Sequence, residues 1–469
     1  MTKRIAILLG CIFSFAASAQ ERPNIILIMT DDQGWGQTGY YGHPLLKTPN
    51  LDKMAKNGLR LDRFYAGAPV CSPTRASVLT GRSCVRAGVP EHGYALRRQE
   101  KVLSQALKEV GYATGHFGKW HLNGLRGPGV PVFKEDTHSP GAFGFDSWIT
   151  VSNFFDIDPI MSRSGVFEEF RGTSSEIIVD EALKFIEKAV AENRPSFTVI
   201  WDGSPHDPFV AREEDMKGFE HLDSRSKNHY GELVAFDRSL GKLRKKLRQL
   251  QIAENTMVWY CSDNGGLPRI TPQTVGGLRG NKGTLWEGGI RVPCIIEWEG
   301  RIAPKISTYP ASTMDIFPTI VDMLDLPPKT MLNPTDGESL KPLLENRGAK
   351  IRKKPIPFIF RGQGALIDNQ FKLVATSIQE QTFQLFNLEK DKTEATDVST
   401  LNPKKMETLK RAFMGWYDSV NRSVAGLDYP EKEVDENHPI PHFWKDDPKY
   451  GLFVKEHGGR PEYSGAYKR

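Results

Sequence analysis

Two oxygen-rich pairs follow apolar runs in this chain: Asp31-Asp32 directly after Asn24 to Met29 (NIILIM), and Asp263-Asn264 shortly after Thr256 to Cys261 (TMVWYC). Open α/β sheets place their sites at the carboxyl ends of strands, so strands at these two runs would bring both pairs to one end of a sheet. Three carboxylates and an amide are hard oxygen ligands, which suit Ca²⁺ or Mg²⁺ better than zinc. Either pair alone is better explained by a turn; together with the motifs below they read as one shared cation site. A third cluster, Cys71-Ser72-Pro73-Thr74-Arg75, leads into Ala76 to Arg82, with Pro73 placed to open a helix and Cys71 just outside its amino end. A helix start favours an anion there. By residue type alone Cys71 is open to three readings: a small packed hydrophobe, half of a disulfide, or a thiolate nucleophile.

The elements that must position these groups follow from apolar periodicity. Strand-length apolar runs alternate with helical patterns through most of the chain, which predicts an α/β fold with a large, mainly parallel sheet flanked by helices. Asn24 to Met29 is a buried-strand candidate, the segment from Thr48 to Gly58 a short helix, and Leu103 to Val110 another. Thr173-Ser174-Ser175-Glu176 is a capping box that opens a long helix, followed by a strand from Phe197 to Trp201. Asp237 to Leu250 continues as helix, and Thr256 to Cys261 as a strand. After about residue 345 the pattern shifts to short runs at Ile356 to Arg361, Phe371 to Thr376 and Phe383 to Leu388, then an amphipathic helix around Pro403 to Tyr417. The expected division is a leader over 1–19, a large catalytic unit over 20–345, a small C-terminal α+β domain over 346–423, and a tail over 424–469 that either wraps the body or is partly disordered.

Composition narrows the classes. The chain has 469 residues, 39% hydrophobic and 25% charged, with 43 Gly and 31 Pro, the balance of a packed globular protein rather than a disordered or collagenous one. A net charge of +5 is too mild to argue for a nucleic-acid partner. The cysteines Cys11, Cys71, Cys84, Cys261 and Cys294 form no CxxC pair or zinc spacing, and they are too few for a disulfide-stapled fold. Spacing leaves the pairing of Cys84, Cys261 and Cys294 open. Lys3-Arg4, the apolar run Ile5 to Ala17 and Ala17-Ser18-Ala19 read as a secretory leader cleaved before Gln20, which predicts a secreted or periplasmic protein. Leu8-Leu9-Gly10-Cys11 is similar to a lipoprotein box, but too few apolar residues precede it for that to be the favoured reading. No later stretch has the length of a membrane span.

The segment from Cys71 to Arg82 resembles the signature of the type I sulfatases, members of the alkaline-phosphatase superfamily, in which the Cys of C-x-P-x-R is oxidised after translation to Cα-formylglycine. The likeness extends over residues 23 to 345. Pro23 to Gly36 is similar to the family's opening strand and metal loop, and Gly111 to His121 to its second signature. Pro205-His206-Asp207-Pro208 resembles its P-H-x-P loop, Ser262 to Gly265 its second metal pair, and Leu278 to Pro293 the loop with an active-site lysine. No catalytic position departs from the pattern.

The resemblance implies that Asp31, Asp32, Asp263, Asn264 and the modified Cys71 hold one Ca²⁺. It implies that Arg75 stabilises the modified side chain and that Lys119, His121, His206 and Lys282 surround the sulfate. It also implies a partner that converts Cys71, either a formylglycine-generating or an anaerobic maturation enzyme. Glu287 and Arg291 read as structural ion pairing. In such an enzyme a formylglycine-hydrate hydroxyl attacks sulfur, giving a sulfo-enzyme intermediate with calcium assistance. His206, with Lys282 as competitor, protonates the leaving alcohol, and His121 then takes the proton whose loss releases sulfate. An exported sulfatase points to a sulfated oligo- or polysaccharide such as an algal galactan or a glycosaminoglycan. The insertion Leu122 to Gly141, with Arg126 and Lys134, and the tail aromatics with His442 either shape sugar subsites or serve as surface loop and packing. The competing functions are a generic arylsulfatase, a phosphatase or phosphodiesterase with a Thr or Ser nucleophile and two zinc ions, and a non-catalytic binder of sulfated glycans.

Overall fold

A computed structural model describes residues 22–348 and 350–464. The expected leader, with Cys11, lies outside the described residues. NIILIM forms the central strand Asn24–Thr30 of a ten-stranded sheet. Ile25, Leu27 and Met29 point into one apolar cluster, and Ile26 and Ile28 into another on the opposite face. A strand buried on both faces needs apolar residues at every position, which is why this run does not alternate with polar residues.

The sheet order is Lys305–Ser307, Leu59–Leu61, Cys294–Glu297, Thr256–Ser262, Asn24–Thr30, Ser196–Trp201, Ala113–Lys119, Ser147–Val151, Ile160–Arg163 and Val166–Glu169. The five strands from Thr256–Ser262 to Ser147–Val151 are parallel; antiparallel pairs enter on both flanks. Helices Ser174–Ala191 and Ser224–Gln249 cover one face, and Cys71–Thr80, Leu103–Glu109 and Ile316–Met323 the other. The Thr173 side chain caps Ser174–Ala191 by accepting from the Glu176 amide. The next helix begins at Ser224, capped by Asp223, well before the expected Asp237. Its early turns bury His229, Tyr230 and Glu232, polar groups that mask the apolar period.

The C-terminal sheet is antiparallel, in the order Ile356–Phe360, Gln363–Asp368, Phe371–Ser377 and Thr382–Asn387. One face packs Ile356, Phe358, Ala365 and Ile367 against Tyr65, Leu285 and Met314 of the catalytic body. The alternate residues Leu366, Leu373 and Leu385 meet Leu409 and Phe413 of helix Pro403–Val424. Beyond that helix the chain returns across the body. The Tyr429 hydroxyl donates to Glu100, His442–Phe443 pairs in parallel with Leu125–Arg126, and the buried Trp444 donates through Nε1 to the Pro128 carbonyl. Among the described residues no helix is long and apolar enough to cross a membrane. Cys71, Cys84, Cys261 and Cys294 are all free and buried.

Candidate active site

The two acidic pairs meet because their strands are neighbours in register, Thr30 opposite Ser262. The Asp263 amide donates to the Thr30 carbonyl at 3.0 Å, continuing the ladder one step past the strand ends. Asp32 then turns into the left-handed region at φ 65° and donates its own amide to Asp263 Oδ1 at 3.1 Å. A non-glycine residue held there is a strained one of the kind that gathers at functional sites.

Helix Cys71–Thr80 is buried along its whole length and begins at Cys71, so the cysteine is its first residue rather than lying outside it. Pro73 falls in the first turn, where its missing N–H is one the helix could not have paired anyway. One turn on, Arg75 lies on the same face as Cys71. Its Nη2 pairs with Asp263 Oδ2 at 2.8 Å and stands 3.6 Å from Asp31 Oδ2, while Nη1 donates to the Lys119 carbonyl at 3.1 Å. Lys119 ends the strand Ala113–Lys119 and reaches Asp31 Oδ2 at 2.5 Å. Gly118 before it permits close strand packing: at φ 108° an added Cβ would lie 1.9 Å from the Trp201 carbonyl oxygen. His121, buried at φ 56°, follows two residues later. Lys282 Nζ lies 2.5 Å from Asp32 Oδ1, with its loop tied down by Lys282 N to Gly266 O and Gly283 N to Pro69 O. His206 Nε2 is 3.9 Å from Asp32 Oδ2, its ring stacked on Phe154 at 4.5 Å and its Nδ1 donating to the Asp207 carbonyl.

All the residues expected at the site are thus brought to one end of the sheet. Asp31, Cys71 and Asp263 offer ligand atoms within 4.8 Å of one another, as do Asp31, Asp32 and His206. Three cations, Arg75, Lys119 and Lys282, face three carboxylates, yet Asp31 Oδ1, Asp32 Oδ2 and Asn264 Oδ1 are buried with no hydrogen-bond partner. Buried acceptors are rarely left so. Hard oxygens, orphaned together, fit a calcium-type cation.

The electrostatics divide the carboxylates. Burial pushes Asp31 up, but Lys119, with His206 and Arg75, outweighs it and holds the carboxyl below its ordinary range. Asp32 is pushed up to about 6 by burial, which Lys282 only partly offsets. Asp263 is raised by burial and then by Asp31. Burial opposes ionisation of the Cys71 thiol, but Lys119, His121, His92 and Lys282 lower its pKa well below the usual value. Burial carries His121 down to about 4 and, together with Lys282, lowers His206, so both imidazoles are neutral near pH 7.

Sequence reasoning passed over His92. Its Nδ1 lies 3.3 Å from Cys71 Sγ, and its ring is 6.5 Å from that of His121. A lone histidine in Pro90-Glu91-His92-Gly93 carries no signal; the tether that brings it in is the Gly93 amide donating to Ser72 Oγ at 2.9 Å. Of the candidate subsite residues, Lys134 is exposed against Gly165 in the hairpin at the sheet edge, and His442 lies 3.4 Å from Asp447. Arg126 stands beside Gly93. Glu287 is ion-paired with Lys372 at 3.1 Å and Arg291 at 3.6 Å.

The sulfatase family model matches residues 23–326. The chain belongs to the sulfatase family. It is 34% identical over 395 residues to the N-acetylgalactosamine-6-sulfatase of Canis lupus familiaris, covering 76% of this chain and 72% of that protein. It is 30% identical to human arylsulfatase A, covering 71% and 69% respectively. The solved structure of Ps i-CgsB in complex with k-i-k-neocarrahexaose superposes with a TM-score of 0.75 at 26% identity, covering 93% of this chain and 97% of that one. The protein is a sulfatase, a hydrolase of sulfate esters built on the mainly parallel sheet and small antiparallel domain that its relatives share.

Proposed function

We propose that this sulfatase removes sulfate from a sulfated saccharide outside the cytoplasm, using residue 71 matured to formylglycine and a calcium ion held by Asp31, Asp32, Asp263, Asn264 and residue 71. The observation that carries this reading is the set of three orphaned oxygens, on Asp31, Asp32 and Asn264, at a site where Asp31 and Asp263 offer ligand atoms within 4.8 Å of the first residue of the C-x-P-x-R helix. Calcium bound there would supply Lewis acidity to the sulfuryl oxygens and to the nucleophile. The hydrated aldehyde at position 71 would supply an oxygen nucleophile whose second hydroxyl gives sulfate a route of release.

The chain's own residues supply the rest. Lys119 and Lys282, anchored on Asp31 and Asp32, keep two ammonium groups at the site to neutralise the sulfuryl oxygens. With Nδ1–H donated to the Asp207 carbonyl, the neutral His206 presents a bare Nε2, which can protonate the departing alkoxide only after taking up a proton of its own, a step that the negative charge of a bound sulfate ester would favour. Burial lowers the pKa of Lys282, but Asp32 raises it more, so this ammonium sits above its ordinary range and is the weaker acid of the two. His121, kept neutral by burial and with Nδ1 unpartnered, serves as the base that takes the proton from residue 71.

The saccharide rests on the relatives, an N-acetylgalactosamine-6-sulfatase and a structure holding a neocarrahexaose. The test is free sulfate released by matured chain from galactan and glycosaminoglycan oligosaccharides, beside 4-nitrophenyl sulfate. Higher kcat/KM on a saccharide is expected. Turnover of the aryl ester alone would replace this reading with a generic arylsulfatase, and phosphate release with two bound zinc ions would replace it with a phosphatase.

A further inference from the structure

Beside the segment that carries His92 and Gly93 lies a guanidinium with no carboxylate partner among the described residues. The Arg126 side chain donates no hydrogen bond and joins no ion pair among the described residues, and its Nε is buried without a partner. Its position is nevertheless fixed from three sides. Leu125–Arg126 pairs in parallel with His442–Phe443 of the tail, and the Gly124 carbonyl accepts from the His442 amide at 3.0 Å. The guanidinium lies 5.7 Å from the Tyr94 ring. Its aliphatic stem covers Gly93, where an added Cβ would fall 2.6 Å from Arg126 Cγ.

That same segment is the one tied to the catalytic helix. Gly93 N donates to Ser72 Oγ, and His92 Nδ1 meets Cys71 Sγ, so the segment on which Arg126 packs is the one that touches residue 71. Glu91, the acidic residue of this segment, is already engaged. Its Oε2 pairs with Arg361 Nε at 2.6 Å, and its Oε1 accepts the His92 amide at 3.0 Å and stands 3.4 Å from His92 Nε2. His92 keeps 38% of its side chain exposed, so this side of the site is open. A positioned, unpaired guanidinium fork on an open rim, with its local carboxylate already taken, selects for a planar or tetrahedral oxyanion.

The geometry points to a second anion subsite. Arg126, with His92 between it and residue 71, binds a sulfate ester or carboxylate on the saccharide at a position other than the sulfate being removed. The substrate class is therefore a polyanionic saccharide carrying at least two negative groups within one short stretch. This inference rests on the saccharide reading above but concerns binding rather than turnover.

It is tested by calorimetric titration of full-length chain carrying Cys71→Ala, alone and combined with Arg126→Ala or Arg126→Lys. The probes are the κ-ι-κ neocarrahexaose, whose anions are sulfates, and a chondroitin sulfate hexasaccharide, which adds carboxylates. Arg126→Ala should weaken binding of one of them by about ten-fold or more, the loss of one bidentate charge-assisted contact. Arg126→Lys should recover part of it, and the difference should shrink in high salt. Whichever probe responds distinguishes sulfate from carboxylate. In the matured enzyme Arg126→Ala should raise KM for that oligosaccharide by about ten-fold more than it does for 4-nitrophenyl sulfate. Equal affinity of the parent and Arg126→Ala chains for both probes, or failure of the parent to bind either, overturns the subsite. Because binding is read without turnover, absence of sulfate release would strike the catalytic reading and leave this one standing.

Discussion

Two buried charge clusters in this protein are built from the same residue types and do opposite things. In the seam between the catalytic body and the C-terminal sheet, Asp315 Oδ1 accepts from Glu338 N and Arg352 Nη2, both at 2.8 Å, and Oδ2 from Ser312 N at 2.7 Å and Arg352 Nη1 at 2.6 Å. Every lone pair the carboxylate can offer is taken. At the sheet end, Asp31, Asp32 and Asn264 each keep one oxygen with no partner, although three cations stand close by. Burying a charge and satisfying it completely fixes a junction; burying it and leaving acceptors bare stores binding capacity. Between these two clusters it is the unsatisfied atoms, more than burial or charge, that mark the difference.

That contrast can be broken at either end. The largest effect expected is at residue 71, the proposed nucleophile: Cys71→Ala should cut turnover by about 10⁵–10⁶-fold while the melting temperature stays near that of the parent, read from sulfate release and calorimetry on the same preparation. A large fall in melting temperature would mean that the site is also scaffold. Calcium removal with a chelator should come next, lowering turnover by about 10²–10³-fold and also lowering the melting temperature, both restored by added calcium. Full activity in a chelated sample with no residual calcium would show that the bare oxygens serve another purpose. Last, Arg352→Ala should cost about 3–5 kcal/mol of stability by leaving Asp315 buried without its charge partner, measured by urea unfolding, with kcat of the folded fraction preserved. A catalytic defect with little loss of stability would erase the distinction between the clusters.

Most of the candidate site was readable in the sequence because its residues sit in short motifs, Asp31, Asp32, Asp263, Asn264 and Lys119 at strand ends, Cys71 at a helix start, and His206 and Lys282 in loops. The register of Thr30 with Ser262 then does what the strand-end rule requires, and Asp31, Asp32, Asp263 and Asn264 converge. The central strands were equally plain, since NIILIM and TMVWYC are buried on both faces. The rim was not. Glu91 meets Arg361, and Gly93 meets Arg126, only because a helix-bound loop, a tail strand and a hairpin tip close on one another, contacts that leave no local periodicity. For a similar reason the strand Gln363–Asp368 escaped notice: it opens on Gln363-Gly364, and Gly364 is there to admit the ring of Phe413, which an added Cβ would approach within 2.2 Å. The first turns of Ser224–Gln249 were hidden by buried polar residues. What the chain encodes locally was legible; what it encodes through long-range closure was not.

The most direct test is the mass of the peptide containing residue 71, taken from chain made in cells that carry a formylglycine-generating enzyme and compared with sulfate turnover of the same samples. The account predicts an aldehyde in place of the thiol, with turnover rising in proportion to the converted fraction. A fully active preparation in which residue 71 is only an unmodified cysteine would contradict it.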